Sequence, residues 1–231
     1  MDPVASIALW AILFVGTHLV ISSTGIRPWL IAKIGERPYR GIYSLVSFGT
    51  LVPLIFVFAY HKHSGEMLWY LRAMAPVRWL TWLLMVIAFI MLASGLMTPS
   101  PASIGAGSGS TQAPRGLLKL SRHPSFVAFA LFGIAHLLMN GWLGDVIFFG
   151  TFPVLGIVGG TVQDSRKLRE IGESYRKFMS ETSFFPGAAL ISGRQRWSSA
   201  DTPWIGILVG IALAIVTVVV HPWLFGGQPL G

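Results

Sequence analysis

The sequence predicts an all-α fold: a polytopic membrane helical bundle of about six transmembrane helices, with one cytoplasmic amphipathic helix. Three observations carry that expectation. Apolar residues make up 53% of the 231-residue chain and charged residues only 11%, against roughly one quarter charged in soluble domains. The apolar residues form continuous runs that reach the ~20 residues a helix needs to cross the hydrocarbon core. None of these runs shows the alternating strands of about ten residues that a membrane barrel requires.

The predicted spans lie near 4–22, 41–60, 77–97, 123–140, 142–162 and 203–222, and they fill one integral membrane domain over 1–231. The first run follows Asp2, with no Lys or Arg ahead of it. It lacks the positively charged start of a signal peptide, so a retained helix is expected. TPSPASIGAGSGSTQAP, residues 98–114, reads as a flexible link. In the Arg122-His123-Pro124 triplet, Pro124 supplies a fixed φ at the first helical position, which starts the fourth span at the membrane surface. Gly156 and Gly160 form a small-xxx-small pair suited to close helix packing. In residues 163–180, Leu168, Ile171, Tyr175 and Phe178 recur at helical spacing among Arg and Lys, which predicts an amphipathic helix lying on the inner leaflet, its basic residues attracting anionic lipid head groups. No internal repeat is visible.

The net charge of +8 comes from 17 Lys and Arg against 9 Asp and Glu. The basic residues sort by loop instead of clustering on a folded surface. Arg27, Lys33, Arg37 and Arg40 follow the first span, Arg115, Lys119 and Arg122 precede the fourth, and seven more separate the fifth and sixth. Lys62, Arg72 and Arg78 fall on the other side. By the positive-inside rule both termini face outward and the large loops face the cytoplasm. The lipid bilayer is the expected partner; the basic charge is a topology signal and not a nucleic-acid signal.

The chain has no cysteine, which excludes disulfides, thiolate metal sites and covalent haem attachment. Six histidines remain. His61 and His63 sit in the outward loop YHKHSGE and read as solvated, and His221 reads as an interface anchor beside Trp223. His18 and His136 fall inside apolar spans, where an ionisable group marks a candidate site. Phe14 and Ala11 precede His18 by four and seven positions; Phe132 and Gly133 precede His136 by four and three, and Phe129 by seven. Such walls suit a flat apolar ligand. Two imidazoles facing across a bundle would hold a b-type haem, zinc, copper or a proton relay. Carboxylates are nearly absent from the spans, which favours a redox or binding role over metal-dependent hydrolysis. By helical rise His18 and His136 differ in depth by about 14 Å; by depth alone His18 pairs with His123, and His136 with His221.

Gly-Thr-His18, IGERPYRGIYSLVSF at 34–48, SRHP at 121–124, GIAH ending at His136, the segment from Asp164 to Pro186 and the late HP at 221–222 together resemble the NnrU membrane family, over nearly the whole chain. That resemblance implies a part in denitrification, among the membrane proteins of nitrogen-oxide respiration, with a bacterial inner membrane as the expected location and both termini on its periplasmic side. The family's plastid relative, zeta-carotene isomerase, is a haem b enzyme that turns a carbon–carbon double bond from cis to trans when its iron is reduced. Carried over by position, its haem ligands fall on His18 and His136, with His123 as the reserve ligand. A haem-dependent isomerase of a lipid-soluble polyene is therefore one expectation, and a non-catalytic scaffold is another. A weaker resemblance, to membrane methyltransferases, rests on Arg122-His123-Pro124, Gly172, Tyr175, Phe178 and Pro186. Gln163-Asp164 stands where that family has paired glutamates, which argues against methyl transfer.

Overall fold

The computed structural model describes residues 2–23, 25–98, 100–102 and 113–226. Nine α-helices appear among them: α1 (Pro3–Ile21), α2 (Ile26–Ile34), α3 (Glu36–Tyr60), α4 (Ala75–Met97), α5 (Pro124–Met139), α6 (Leu143–Ile171), α7 (Glu173–Glu181), α8 (Ala188–Ile191) and α9 (Trp204–Phe225). The chain is an all-helical membrane protein. Five helices, α1, α3, α4, α6 and α9, are long and apolar enough to cross a bilayer, and α5 is a shorter apolar helix. At 16 residues α5 extends about 24 Å, somewhat less than the ~30 Å hydrocarbon core. Its start matches the sequence reading, with Pro124 in the first turn and His123 at the N-cap. On α1, the Asp2 side chain caps the helix by accepting from the Ala5 amide at 2.9 Å.

The long helices pack as a row in the spatial order α3, α1, α6, α5, α4, α9. Close backbone approach makes this possible at two seams. A Cβ on Gly156 would stand 2.6 Å from the Phe126 carbonyl, and one on Gly133 would stand 2.4 Å from the Pro153 ring, so α5 and α6 meet almost backbone to backbone. Gly160, predicted as the second half of the small pair, faces the Phe184 ring instead of a helix. At the α4–α9 seam Gly206 and Gly210 receive Ser94 and Ile90. The buried cluster of Ile7, Ala11, Phe14, Leu54, Phe148 and Phe149 joins α1, α3 and α6. Phe58 stacks on Phe148 there at 3.9 Å and 4°.

Three features differ from the sequence reading. The helix α2 was not anticipated, since IRPWLIAKI is short and its charges read as loop. The fifth span runs on to Ile171, nine residues past its predicted end. The amphipathic stretch 163–180 is therefore not one helix: it breaks at Gly172, whose φ of 72° is open to glycine at no steric cost. Leu168, Ile171, Tyr175 and Phe178 do share a face, but that face packs against Ala102 and Leu118. The expectation that it lies in the inner leaflet is corrected accordingly, because Tyr175 and Phe178, 0% and 5% exposed, are covered by protein and not available to lipid. Of the expected link at 98–114, residues 99 and 103–112 lie outside the described residues.

At the end of the row opposite the basic loops, the segment 61–74 is bound to the α5–α6 turn. Leu68 N–H donates to Gly141 O, Leu143 N–H to Glu66 O, and Gly144 N–H to Ser64 O. At the basic end Asp201 ties the segment before α9 to residues 116–119, accepting from Lys119 Nζ at 2.8 Å, Gly116 N at 3.1 Å and Ser198 Oγ at 2.7 Å. Burial pushes the Asp201 carboxyl up, but the hydrogen bonds from Lys119 and Ser198 outweigh it and hold the group well below the usual carboxylate range.

Candidate functional site

The row of helices leaves a cavity of about 900 Å³ where α3 diverges from α5 and α6. The ring of His18, on α1, stands in its wall. The apolar part is lined by Phe14, Leu51, Phe126, Phe129, Phe152 and Leu155, and the basic end by Arg27, Glu36, Arg40, Arg166, Lys167 and Glu170. Phe48 and Phe129, on opposite sides of the gap, remain 63% and 44% exposed. Since α3 packs on α1 and makes no close pairing with α5, the cavity is a cleft open between those two helices.

His18 Nδ1 lies 2.9 Å from the Phe14 carbonyl. A carbonyl can only accept, so Nδ1 carries the proton, and in the neutral ring Nε2 keeps its lone pair. The ring also meets Phe14 edge-on at 4.4 Å and Tyr43 at 5.5 Å. His136 repeats the device: Nδ1 lies 2.9 Å from the Phe132 carbonyl, again leaving Nε2 as the available nitrogen. Its ring stacks on Phe149 at 4.5 Å and 23°, and Phe132 stands at 4.2 Å. Both imidazoles thus border the aromatic cluster that contains Phe14 and Phe149. They do not meet. His18 lines the cleft and His136 does not, while His221 lies within electrostatic reach of His136.

His123 is placed elsewhere and used differently. It is 3% exposed, and its Nε2 stands 2.7 Å from Asp164 Oδ1. An ionised Asp164 can only accept, so here Nε2 carries the proton and is engaged. The same carboxylate receives Arg122 Nε at 2.9 Å and Nη2 at 2.6 Å, and the Tyr175 hydroxyl at 2.6 Å. Burial pushes the Tyr175 phenol far up, and the Asp164 charge adds to it, so Tyr175 is a fixed donor. Arg122 N–H donates to Ser183 O and Ser121 Oγ to Phe184 O at 2.7 Å. The Arg-His-Pro triplet therefore knits α5, α6, α7 and the 183–184 segment into one polar knot.

Two functional candidates escaped the sequence reading. His63, read as solvated, places Nδ1 2.7 Å from Asp145 Oδ2 and its backbone N–H 3.1 Å from Oδ1, with Asp145 fully buried. The loop cations converge on the cleft: Arg27, read for topology, and Arg166 and Lys167, read for topology and for attraction to lipid head groups, all line it. Among the described residues no group of three or more His, Cys, Asp or Glu is arranged to hold a metal ion. Any iron here would take its protein ligand from single imidazoles, and His18 is the one that faces an open volume. An imidazole with a free Nε2, an aromatic slot and a cationic end fit a flat ligand with an apolar body and an acidic edge, which is the character of haem b.

Two plant proteins are similar to this chain. The 15-cis-zeta-carotene isomerase, chloroplastic, of Zea mays is 26% identical over 168 residues, which cover 71% of this chain and 44% of that protein. Its Arabidopsis thaliana namesake is 25% identical over 167 residues, covering 70% and 44%. The chain thus spans less than half the length of these curated relatives. No solved structure matches it. The sequence profile described as NnrU protein matches residues 6–229, continuously from the first apolar helix through the last. On that match the chain belongs to the NnrU protein family.

Proposed function

We propose that this chain is a membrane haem protein, with haem b held at His18, that acts on a lipid-soluble molecule entering the cleft sideways from the bilayer. The reaction we assign is the cis–trans turning of a carbon–carbon double bond in a polyene, in line with the names of the plant relatives. The observation that supports this reading best is the His18 imidazole, its Nδ1 tied to Phe14 and its Nε2 available, in the wall of an open aromatic cleft. When bound, haem supplies a redox-active iron, which side chains of this chain do not offer. The chain's own residues do the rest. The Phe14 carbonyl fixes the tautomer and direction of His18, as the outer partners of metal-bound histidines do. Phe126, Phe129 and Phe152 form flat walls against which a conjugated chain stacks and from which water is excluded. Double-bond isomerisation moves no proton to solvent, and no carboxylate is needed beside His18.

His136 is the second ligand carried over from the resemblance. Phe132 and Phe149 stand against its ring, so it joins the same iron only where those rings repack. A part in nitrogen-oxide metabolism, alongside other membrane proteins of that respiration, is the companion proposal and rests on family membership. The two readings differ in what they ask of the cleft: a polyene needs the apolar length from Leu51 to Phe126, whereas a diatomic oxide does not. We place the basic end in the cytoplasm from the distribution of Lys and Arg, and the bacterial inner membrane on the family membership.

The test is an optical spectrum of the purified, detergent-solubilised chain. A Soret band that sharpens on dithionite reduction, with split α and β bands, is expected, and His18→Ala should remove it. His136→Ala reports whether a second imidazole is engaged. A colourless protein after expression with haem precursor overturns the reading and leaves the scaffold alternative.

A further inference from the structure

We propose that the basic end of the cleft is an anion subsite, built by Arg27, Arg166 and Lys167, that takes the phosphate or carboxylate of an amphiphile whose apolar body lies in the aromatic part. The inference rests on charge and burial alone and stands without the haem reading.

Four cations, Arg27, Arg40, Arg166 and Lys167, line this end against two carboxylates, Glu36 and Glu170. Glu170 is surrounded by three of them: it pairs with Arg27 and with Lys167, while Arg166 Nε stands 3.8 Å from it, beyond hydrogen-bond range. Glu36 is shared between Arg40 at 2.8 Å and Arg27 at 3.6 Å. Asp164, also on α6, is fully engaged by Arg122, His123 and Tyr175 and offers no relief. Arg40 is 57% exposed and solvated, but the charge on Arg166 is not, because that residue is 9% exposed. Arg166 spends Nη2 on Gln163 Oε1 at 2.9 Å, and its Nε is buried with no hydrogen-bond partner.

Buried cations in excess of their counter-charges are costly unless an anion joins them. The missing anion has a defined place, since the same cavity that these cations line continues into Phe126, Phe129, Phe152 and Leu155. A free inorganic anion would leave that apolar volume unfilled. An acidic group on an apolar body fills both halves. Two sources share this chemistry: the phosphate of a membrane lipid and the carboxylate edge of a tetrapyrrole.

The experiment uses the full chain in a nonionic detergent, titrated with dioleoyl phosphatidic acid and, in parallel, with dioleoylglycerol of the same chains; retained lipid is read by native mass spectrometry. One phosphatidic acid should be held at least about tenfold more tightly than the neutral lipid. Arg27→Gln and Arg166→Gln should each remove about that factor, whereas Lys33→Gln, outside the cleft, should change nothing. Glu170→Gln takes away the competing carboxylate and should tighten the anion, a gain that misfolding does not mimic. Metal-free protoporphyrin IX, with two carboxylates, should displace the lipid if the tetrapyrrole source also fits, and its dimethyl ester should not. Displacement by phosphatidic acid alone assigns the site to lipid. Equal retention of the charged and neutral lipids, indifference to both arginine changes, or displacement by inorganic phosphate as effective as by the amphiphile overturns the inference. A colourless protein that still selects phosphatidic acid sinks the haem reading and leaves this one standing; a haem-loaded protein without anion preference does the reverse.

Discussion

Asp164→Asn should be the most damaging single conservative substitution in the described chain. The carboxylate is 8% exposed and its Arg122 partner 11%, and it also receives His123 and Tyr175. An amide keeps the shape but loses the charge, so the Arg122 guanidinium is left buried without compensation. The amide NH2 also turns a donor toward one of two neighbouring donors. Removing one member of a buried ion pair costs about 3–5 kcal/mol. For a chain of this length each kcal/mol moves Tm by roughly 2–4 °C, so a fall of about 6–20 °C is expected. Thermal unfolding in detergent, followed by the fluorescence of the nine tryptophans, measures it; thiol dyes cannot, as there is no cysteine. The double variant Arg122→Gln/Asp164→Asn removes both charges and should melt no lower than Asp164→Asn alone, because the orphaned charge is gone. A single variant that melts within about 1 °C of the parent, well under the shift worked above, or a double variant that loses the sum of both singles, refutes the claim that this knot joins α5, α6 and α7.

Three further outcomes follow from other parts of the fold. S-adenosylmethionine should show no binding by calorimetry at millimolar concentration, since Asp164, the acidic group that stands in the paired-glutamate position, is already engaged by Arg122, His123 and Tyr175; micromolar binding abolished by Asp164→Ala would make the chain a methyltransferase. Asp145→Asn weakens the two bonds to His63 and should cost about 1–3 kcal/mol, with faster hydrogen exchange at the Leu68, Leu143 and Gly144 amides that fasten the 61–74 loop; unchanged exchange would show that His63 is merely adjacent. The Asp201 contribution has a defined pH sign: its folded pKa lies below the unfolded value of about 3.9, so the stabilisation is complete above about pH 4 and fades only in stronger acid. Asp201→Asn should therefore lower Tm at pH 7 and converge with the parent as the pH falls toward that depressed value, and a gap that widens in acid would contradict the assignment.

The spans were legible because continuous apolar runs of bilayer length have few other uses, and the start of α5 was legible because proline marks a first turn. What the sequence hid was pairing at long range. Asp164 stands 41 residues from His123, and Asp145 stands 82 from His63, so no local spacing announces either contact. The end of α6 was missed for a related reason. Gln163, Asp164, Arg166 and Lys167 read as the start of a separate amphipathic helix at the membrane surface, yet each is buried, because Arg122, His123 and Tyr175 engage Asp164 and the Ala102 carbonyl accepts from Gln163. Arg27 was visible only as a member of a charge count, and Arg166 as one more basic residue on a helix expected at the lipid head groups. The same residues that orient the chain in a membrane also close one end of a cavity, and a count by loop cannot separate the two uses.

The histidines show what the structure adds to a sequence that already singled them out. Phe14-x-x-x-His18 and Phe132-x-x-x-His136 are the same local pattern, and each yields the same bond, Nδ1 to the carbonyl one turn back. That bond is made within the helix and requires no tertiary partner, so both rings are prepared for ligation through Nε2 wherever their helices lie. His123 begins α5 and cannot make it: the residues four before it belong to a preceding helical turn outside α5, and its Nε2 finds Asp164 instead. Tautomer thus divides the three candidates into two with a free Nε2 and one whose Nε2 is occupied. Position divides them again, because His18 alone lines the open cleft. Substituting Phe14 leaves its carbonyl in place, so Phe14→Ala should widen the cleft beside His18 while preserving the tautomer. A ligand held there would then be retained but loosened, whereas a change at His18 removes the only imidazole the cleft presents.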